Sequence, residues 1–236
     1  MITENAFKDL TNTNKVLDTN LFINTFFSKQ FSFIRILKTK LGGNMYVDAA
    51  VLDELLIYID RTELFELFND GILILHDPEE KYPQVHDSNK ICLDNSQKTV
   101  YRTEYKNIRT EFNKIEAQKA KQNPHYRKKK NEGESASLAL ARVLHLPIIY
   151  TDDTSVPKVI SDLDLQVLIQ PSSEDENSQY IQTYELLDLC EVLITNGLVP
   201  KSALNRMYKH ATNNDAKKDE KRKRFRAIEE PTKSHT

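Results

Sequence analysis

Carboxylates are the side chains in this sequence best placed to act together. Asp18 closes the apolar run Lys15-Val16-Leu17, and Asp152-Asp153 follow Ile148-Ile149-Tyr150-Thr151. Short, continuously apolar runs of this kind read as buried parallel strands, and each delivers an acid at its C-terminal end. Glu54 stands in Val51-Leu52-Asp53-Glu54-Leu55, and Glu134 follows Gly133 at the head of the Ala/Leu-rich segment Ser135–Leu144. Each acid taken alone has a plain role, as a turn residue, a helix cap or a first-turn partner of the helix dipole. Brought to one point, four acids would repel one another unless a cation neutralised them. A donor set of carboxylates without imidazole or thiolate suits Mg²⁺ or Mn²⁺. Such a centre supports phosphodiester hydrolysis, because one metal lowers the pKa of a bound water and a second stabilises the leaving oxygen.

Other chemistries lack their residues. The five glycines (Gly42, Gly43, Gly71, Gly133, Gly197) give neither a GxGxxG nor a GxxxxGK[ST] spacing. Gly133-Glu134-Ser135-Ala136-Ser137 misses the second glycine of a serine-hydrolase elbow. The histidines form no HxxxH pair, and Cys92 and Cys190 lie far apart, so zinc and disulfide frameworks have no ligand set. With 236 residues, 39% of them hydrophobic, the chain can bury a proper core in one or two domains. No run is long and apolar enough for a membrane helix, and Met1–Lys15 lacks the pattern of a secretory signal. A cytoplasmic protein without a membrane partner is the expectation.

Elements that would position the acids alternate between strand and helix. Strands are expected at Lys15–Asp18, Ile72–Leu75, Ile148–Thr151 and Gln166–Gln170, with a brief extended piece at Met45–Val47. Helices are expected at Leu21–Lys40, Ala49–Phe68 (broken near Asp60), Gln97–Lys130 (interrupted near Pro124), Ser135–Leu144, Ser155–Leu163, Tyr180–Asn196 and Lys201–His210. His76–Asn95 and Ser172–Ser178 read as loops. Alternation of this kind predicts an α/β fold with a mainly parallel sheet covered on both faces, whose ligands bind at the carboxyl ends of the strands.

In that order and with those endings, the segments resemble the PIN-domain nucleases. Carrying the resemblance are Val16-Leu17-Asp18-Thr19-Asn20, Val51-Leu52-Asp53-Glu54-Leu55, Gly133-Glu134-Ser135-Ala136-Ser137-Leu138-Ala139-Leu140-Ala141, Ile148-Ile149-Tyr150-Thr151-Asp152-Asp153 and the closing Gly197-Leu198-Val199-Pro200. It implies a three-layer α/β/α PIN-like fold over 1–211 and a metal-dependent endoribonuclease. Asp18, Glu54, Glu134 and Asp152 would be catalytic and would hold Mg²⁺ or Mn²⁺, with Asp153 as a further acid. Asn20 and Thr151 would support them. Strand alternation lets only one of Asp152 and Asp153 face the metal, and which one stays open. The resemblance admits a toxin blocked by a separate antitoxin, an RNA-processing enzyme or an antiviral defence nuclease, with room for another protein partner or a homodimer.

Two features depart from the family pattern. A helical insertion over about 76–131 ends in Arg127-Lys128-Lys129-Lys130, next to the Gly133-Glu134 motif, where RNA phosphates would arrive. From Lys209 onward nine Lys/Arg stand against five Asp/Glu, a net of +4 in a chain of net charge −2, and 212–236 shows no apolar periodicity and is expected to be a disordered basic tail. Two further readings stand beside the nuclease. One is a PIN-like module that binds RNA or protein without catalysis. The other is a structure-selective DNA nuclease, whose gripping hairpin the few glycines do not supply.

Overall fold

The computed structural model describes residues 4–26, 32–123, 125–168, 178–211 and 218–231. The chain runs α1 (Glu4–Leu10), β1 (Lys15–Leu17), α2 (Thr19–Phe26), α3 (Ser32–Leu41), β2 (Met45–Asp48), α4 (Ala49–Leu55), α5 (Arg61–Asn69) and β3 (Ile74–His76). It continues through β4 (Lys90–Ile91), α6 (Asn95–Gln122), α7 (Glu132–Val143), β5 (Ile148–Tyr150), α8 (Ser155–Asp162), β6 (Gln166–Leu168), β7 (Ser178–Tyr180), β8 (Gln182–Tyr184), α9 (Leu186–Thr195), α10 (Lys201–Ala211) and α11 (Lys218–Ala227).

Six strands form one parallel sheet in the order β4-β3-β2-β1-β5-β8. Side-chain alternation divides the core. Leu17, Met45, Val47, Ile148 and Tyr150 pack with α1 to α5 and α9 to α11 on one face. Val16, Tyr46 and Ile149 pack with α6, α7 and α8 on the other. The result is the expected three-layer α/β/α arrangement. β1 runs outward to β2, β3 and β4 on one side, whereas β5 and β8 lie on the other, so the strand order reverses between β1 and β5. In open α/β sheets ligands bind at such a reversal, beyond the carboxyl ends of the strands, here those of β1 and β5.

Lys15 is buried inside the sheet, where its ammonium donates to the carbonyls of Leu10 and Gly42 at 3.1 and 3.0 Å. Burial is the main cause that lowers its pKa to about 8, with Lys38 adding to it.

Several elements differ from their sequence expectation. The expected helix Leu21–Lys40 is α2 and α3, and residues 27–31 between them lie outside the described residues. The 76–95 segment is not wholly loop, because Lys90–Ile91 adds an edge strand beside β3. β6 leaves the main sheet and pairs antiparallel with β7 in a separate ribbon; positions 169–177 lie outside the described residues. Tyr180–Tyr184, expected as helix, supplies the end of β7 and β8, because Tyr180 pairs with β6 and Gln182–Tyr184 with β5, and α9 begins only at Leu186.

The helical insertion is packed against the rest of the chain along α6. Asp94 caps α6 in a capping box with Gln97. The helix then buries Ile108, Phe112 and Ile115 against α7 and α8, so it forms part of one outer layer. The basic tail also differs. Over Lys218–Ala227 it is a helix, whose Phe225 is buried and lies parallel to the Tyr208 ring at 4.5 Å. Arg224 bridges Asp188 at 2.8 Å and Glu191 at 2.7 Å on α9. One aromatic residue and Ile228 in an otherwise charged stretch leave no periodicity to read, so only docking reveals the helix. Positions 212–217 and 232–236 lie outside the described residues. No helix among the described residues is long and apolar enough to cross a membrane.

Candidate active site

The carboxyl edge at the sheet reversal gathers most of the expected acids. Asp18 directly follows β1, on the same side as Val16, and is fully buried. Its Oδ2 accepts from the Thr151 hydroxyl at 2.7 Å and, more weakly, from the Asn20 amide at 3.5 Å, while its Oδ1 is buried with no partner. Glu134, in the first turn of α7, accepts from the same Asn20 amide at 3.1 Å. Glu54, on α4, is held at both oxygens: the Thr19 hydroxyl donates at 2.7 Å and the Gly133 backbone N–H at 3.0 Å. The N-terminal end of α7 thus faces a carboxylate, which its dipole favours.

Gly133 is required by this approach. A Cβ there would lie 2.7 Å from the Thr19 hydroxyl and 2.9 Å from Glu54 Oε2. The glycine lets α7 come close enough to hand its N–H to Glu54. Asn131, the residue before α7, sits at φ 50, which turns the chain sharply into the helix.

Strand parity decides between the paired aspartates. Ile149, Thr151 and Asp153 point to the α7 side, as Asp18 does, and Tyr150 and Asp152 to the opposite side. Asp153 accordingly joins the cluster and adds its charge to those acting on Asp18 and Glu134. Asp152 turns away: it accepts from the Leu186 N–H at 2.9 Å and from the Asn24 amide, and so ties β5 to α9 and α2. Its expected place among the cluster is taken by Asp153.

Electrostatics mark the cluster as short of positive charge. Burial pushes the Asp18 carboxyl up to about 7, the nearby charges of Asp153 and Glu54 add to the rise, and the Thr151 and Thr19 hydrogen bonds only partly offset it. Burial likewise raises Glu134 to about 8, with the charges of Asp18, Glu54 and Asp153 acting the same way. Asp153 goes the other way. Burial opposes its ionisation, but the Lys129 ammonium at 2.8 Å and the Ser155 N–H at 2.7 Å outweigh it and hold the pKa below the usual carboxylate value.

Lys129 comes from the expected basic run, and a buried acid places it there. Glu116 on α6 accepts from the Lys129 backbone N–H at 2.8 Å, from the Tyr126 hydroxyl and from the Lys119 ammonium. Those donors outweigh burial and keep Glu116 below its ordinary pKa. Arg127, Lys128 and Lys130 remain exposed around this anchored turn.

Among the described residues, no group of three or more His, Cys, Asp or Glu side chains is arranged to hold a metal ion. The chemistry of the donors nevertheless suits a hard divalent cation, because the unpartnered Asp18 Oδ1 and the raised carboxyls of Asp18 and Glu134 lack a positive partner. The structure brings together Asp18, Glu54, Glu134, Asp153, Asn20 and Thr151 of the expected set, each of which lies in a short motif. The structure adds Thr19, which holds Glu54, and Glu116, which holds the Lys129 backbone, to that set. Thr19 stands between Asp18 and Asn20, inside the same motif, and could have been found there; a lone Glu in a polar helix carries no signal. Comparison of the chain with family models, with curated proteins and with solved structures returns no match.

Proposed function

We propose that this chain is a metal-dependent, PIN-like nuclease that hydrolyses RNA phosphodiester bonds. The observation that carries the reading is the convergence of Asp18, Glu54, Glu134 and Asp153 beyond the carboxyl ends of the two strands that flank the sheet reversal, with Asp18 Oδ1 buried and unpartnered. Asp18, Glu134, Asp153 and Glu54 are the groups that would hold Mg²⁺ or Mn²⁺. When bound, the ion supplies an acidified water as nucleophile and neutralises charge on the scissile phosphate.

The remaining work belongs to the chain. Thr151 and Asn20 fix the orientation of the Asp18 and Glu134 carboxylates, and Thr19 with Gly133 does the same for Glu54. Lys129 neutralises Asp153 and stands where an incoming phosphate meets its ammonium. Arg127, Lys128 and Lys130 draw the RNA backbone towards the acid cluster.

A test compares cleavage of single-stranded RNA and DNA panels by wild type and Asp18→Asn, with Mg²⁺, Mn²⁺ or EDTA. RNA cleavage that needs metal and is lost in the variant is the expected result. Cleavage by the well-folded variant would remove Asp18 from the chemistry, and cleavage confined to DNA would transfer the reading to a DNA nuclease. One observation favours a second reading, a PIN-like module that binds RNA without cutting it: Lys129 already supplies Asp153 with a cation. Metal-independent RNA binding with no cleavage under any condition would select it.

A further inference from the structure

A cavity opens along the same carboxyl edge of the sheet, beyond β2 and β3. Its volume is about 390 Å³. Its floor is built. Asp48, at the end of β2, accepts from the Tyr101 hydroxyl at 2.8 Å and lies 2.7 Å from Nδ1 of His76, at the end of β3. Both Asp48 and His76 are buried, and Asp48 also takes the Ala50 N–H at 2.9 Å. A carboxylate oxygen can only accept, so the His76 proton sits on Nδ1. The wall is one stripe of α6, where Lys98, Tyr101, Arg102 and Tyr105 follow at helical spacing. The Tyr101 and Tyr105 rings lie within 22° of parallel, with centroids 6.3 Å apart.

Charge pairing in this cavity is lopsided. Each acid in the lining has a partner: Asp53 and Glu79 have Lys81, Glu132 has Arg109 at 2.8 Å, and Asp48 has His76. Lys98 and Arg102 have no ion pair or side-chain hydrogen bond among the described residues. Two such cations beside flat tyrosine faces match a phosphate attached to a planar heterocycle.

Position links this cavity to the acid cluster. Asp53 and Glu132 in its lining are one and two residues from Glu54 and Glu134. Neighbouring strands lie about 4.8 Å apart, so the ends of β2 and β3 are roughly 5–10 Å along the edge from Asp18. A strand of RNA whose scissile phosphate meets the acids has an adjacent nucleotide at that reach.

We infer that the cavity is a nucleotide subsite: it holds the base of a residue flanking the cleavage point against Tyr101 and Tyr105, with that residue's phosphate on Lys98 and Arg102. This deepens the nuclease reading and rests on it for the identity of the substrate. The subsite, and not the acid cluster, sets which base is accepted next to the cut.

The test separates the two. The full-length chain in EDTA is titrated by calorimetry with the four ribonucleoside 5′-monophosphates and with inorganic phosphate. Wild type and Asp18→Asn are expected to bind at least one nucleotide equally and more tightly than phosphate. Lys98→Ala/Arg102→Ala, exposed positions whose replacement leaves the core untouched, is expected to weaken that binding at least about tenfold. Tyr105→Ala is expected to weaken nucleotide without changing phosphate. On RNA the double variant raises KM with kcat nearly unchanged and flattens the base preference at the cut. Absence of nucleotide binding, binding unaffected by the double variant, or phosphate bound as tightly as any nucleotide overturns the subsite. RNA cleavage without nucleotide binding leaves the nuclease standing and removes the subsite. Nucleotide binding without any cleavage keeps the pocket and sinks the nuclease.

Discussion

Asp18 combines full burial, one satisfied oxygen and one orphaned oxygen. Its replacement by Asn therefore removes a charge that the folded chain holds at a cost. Asp18→Asn is expected to lower metal-dependent RNA cleavage by about 10²–10³-fold or more while its melting temperature stays level or rises. Unfolding of the variant, seen by circular dichroism, would contradict this. The two aspartates after β5 part company in the same assay. Asp153→Asn lowers cleavage, because its carboxylate joins the cluster. Asp152→Asn mainly lowers stability, because it weakens the link to the Leu186 N–H and Asn24. Equal losses of activity in both would overturn the parity argument.

The raised carboxyls of Asp18 and Glu134 also make stability depend on pH. The folded chain binds those protons more tightly than the unfolded chain does, so their contribution is complete below about pH 4 and is lost as pH rises through about 8. The metal-free protein is expected to melt at a lower temperature at about pH 8 than at about pH 5, and Mg²⁺ or Mn²⁺ to restore part of the loss. A scan in which Asp18→Asn follows wild type throughout would deny the cluster this role.

Among elements, α7 depends most on one residue. Gly133→Ala would press a methyl group into Thr19 and Glu54, and is expected to cost about 1–3 kcal/mol and to lower cleavage with it. Chemical denaturation of the variant measures the first and initial rates the second. The last helix leans on a single side chain too. Phe225→Ala on α11 removes a buried ring stacked on Tyr208 and is expected to cost about 3 kcal/mol or more, whereas a disordered tail would lose nothing. The strands that carry acids were legible because their runs are apolar and end abruptly. The helix docking of α11, the edge strand β4 and the switch from expected helix to β7 and β8 were not, because each depends on a distant partner rather than on a local period. In the candidate site the acids could be read from their motifs, but the side each one faces came only from strand parity and from Lys129.

Across the full chain, an acidic body carries a locally basic rim. Arg127, Lys128 and Lys130 are exposed beside Lys129, whose ammonium bridges Asp153, and replacing all three by Ala is expected to flatten the salt dependence of RNA binding, by about 0.7 in the slope of log K against log salt for each phosphate left without its cation. An unchanged slope would remove the run from the interface. The hydrogen bond from Thr151 to Asp18 joins residues 133 positions apart, across the β1–β5 pairing at the centre of the sheet. Contacts between residues so distant in sequence carry a larger closure entropy than the pairing of β1 with β2. A chain that has not formed this pairing has Asp18 and Asp153 on separate pieces. On the proposed nuclease reading, assembly of the acids is thus tied to completion of the sheet, and the chain gains its candidate chemistry in the same step as its final topology.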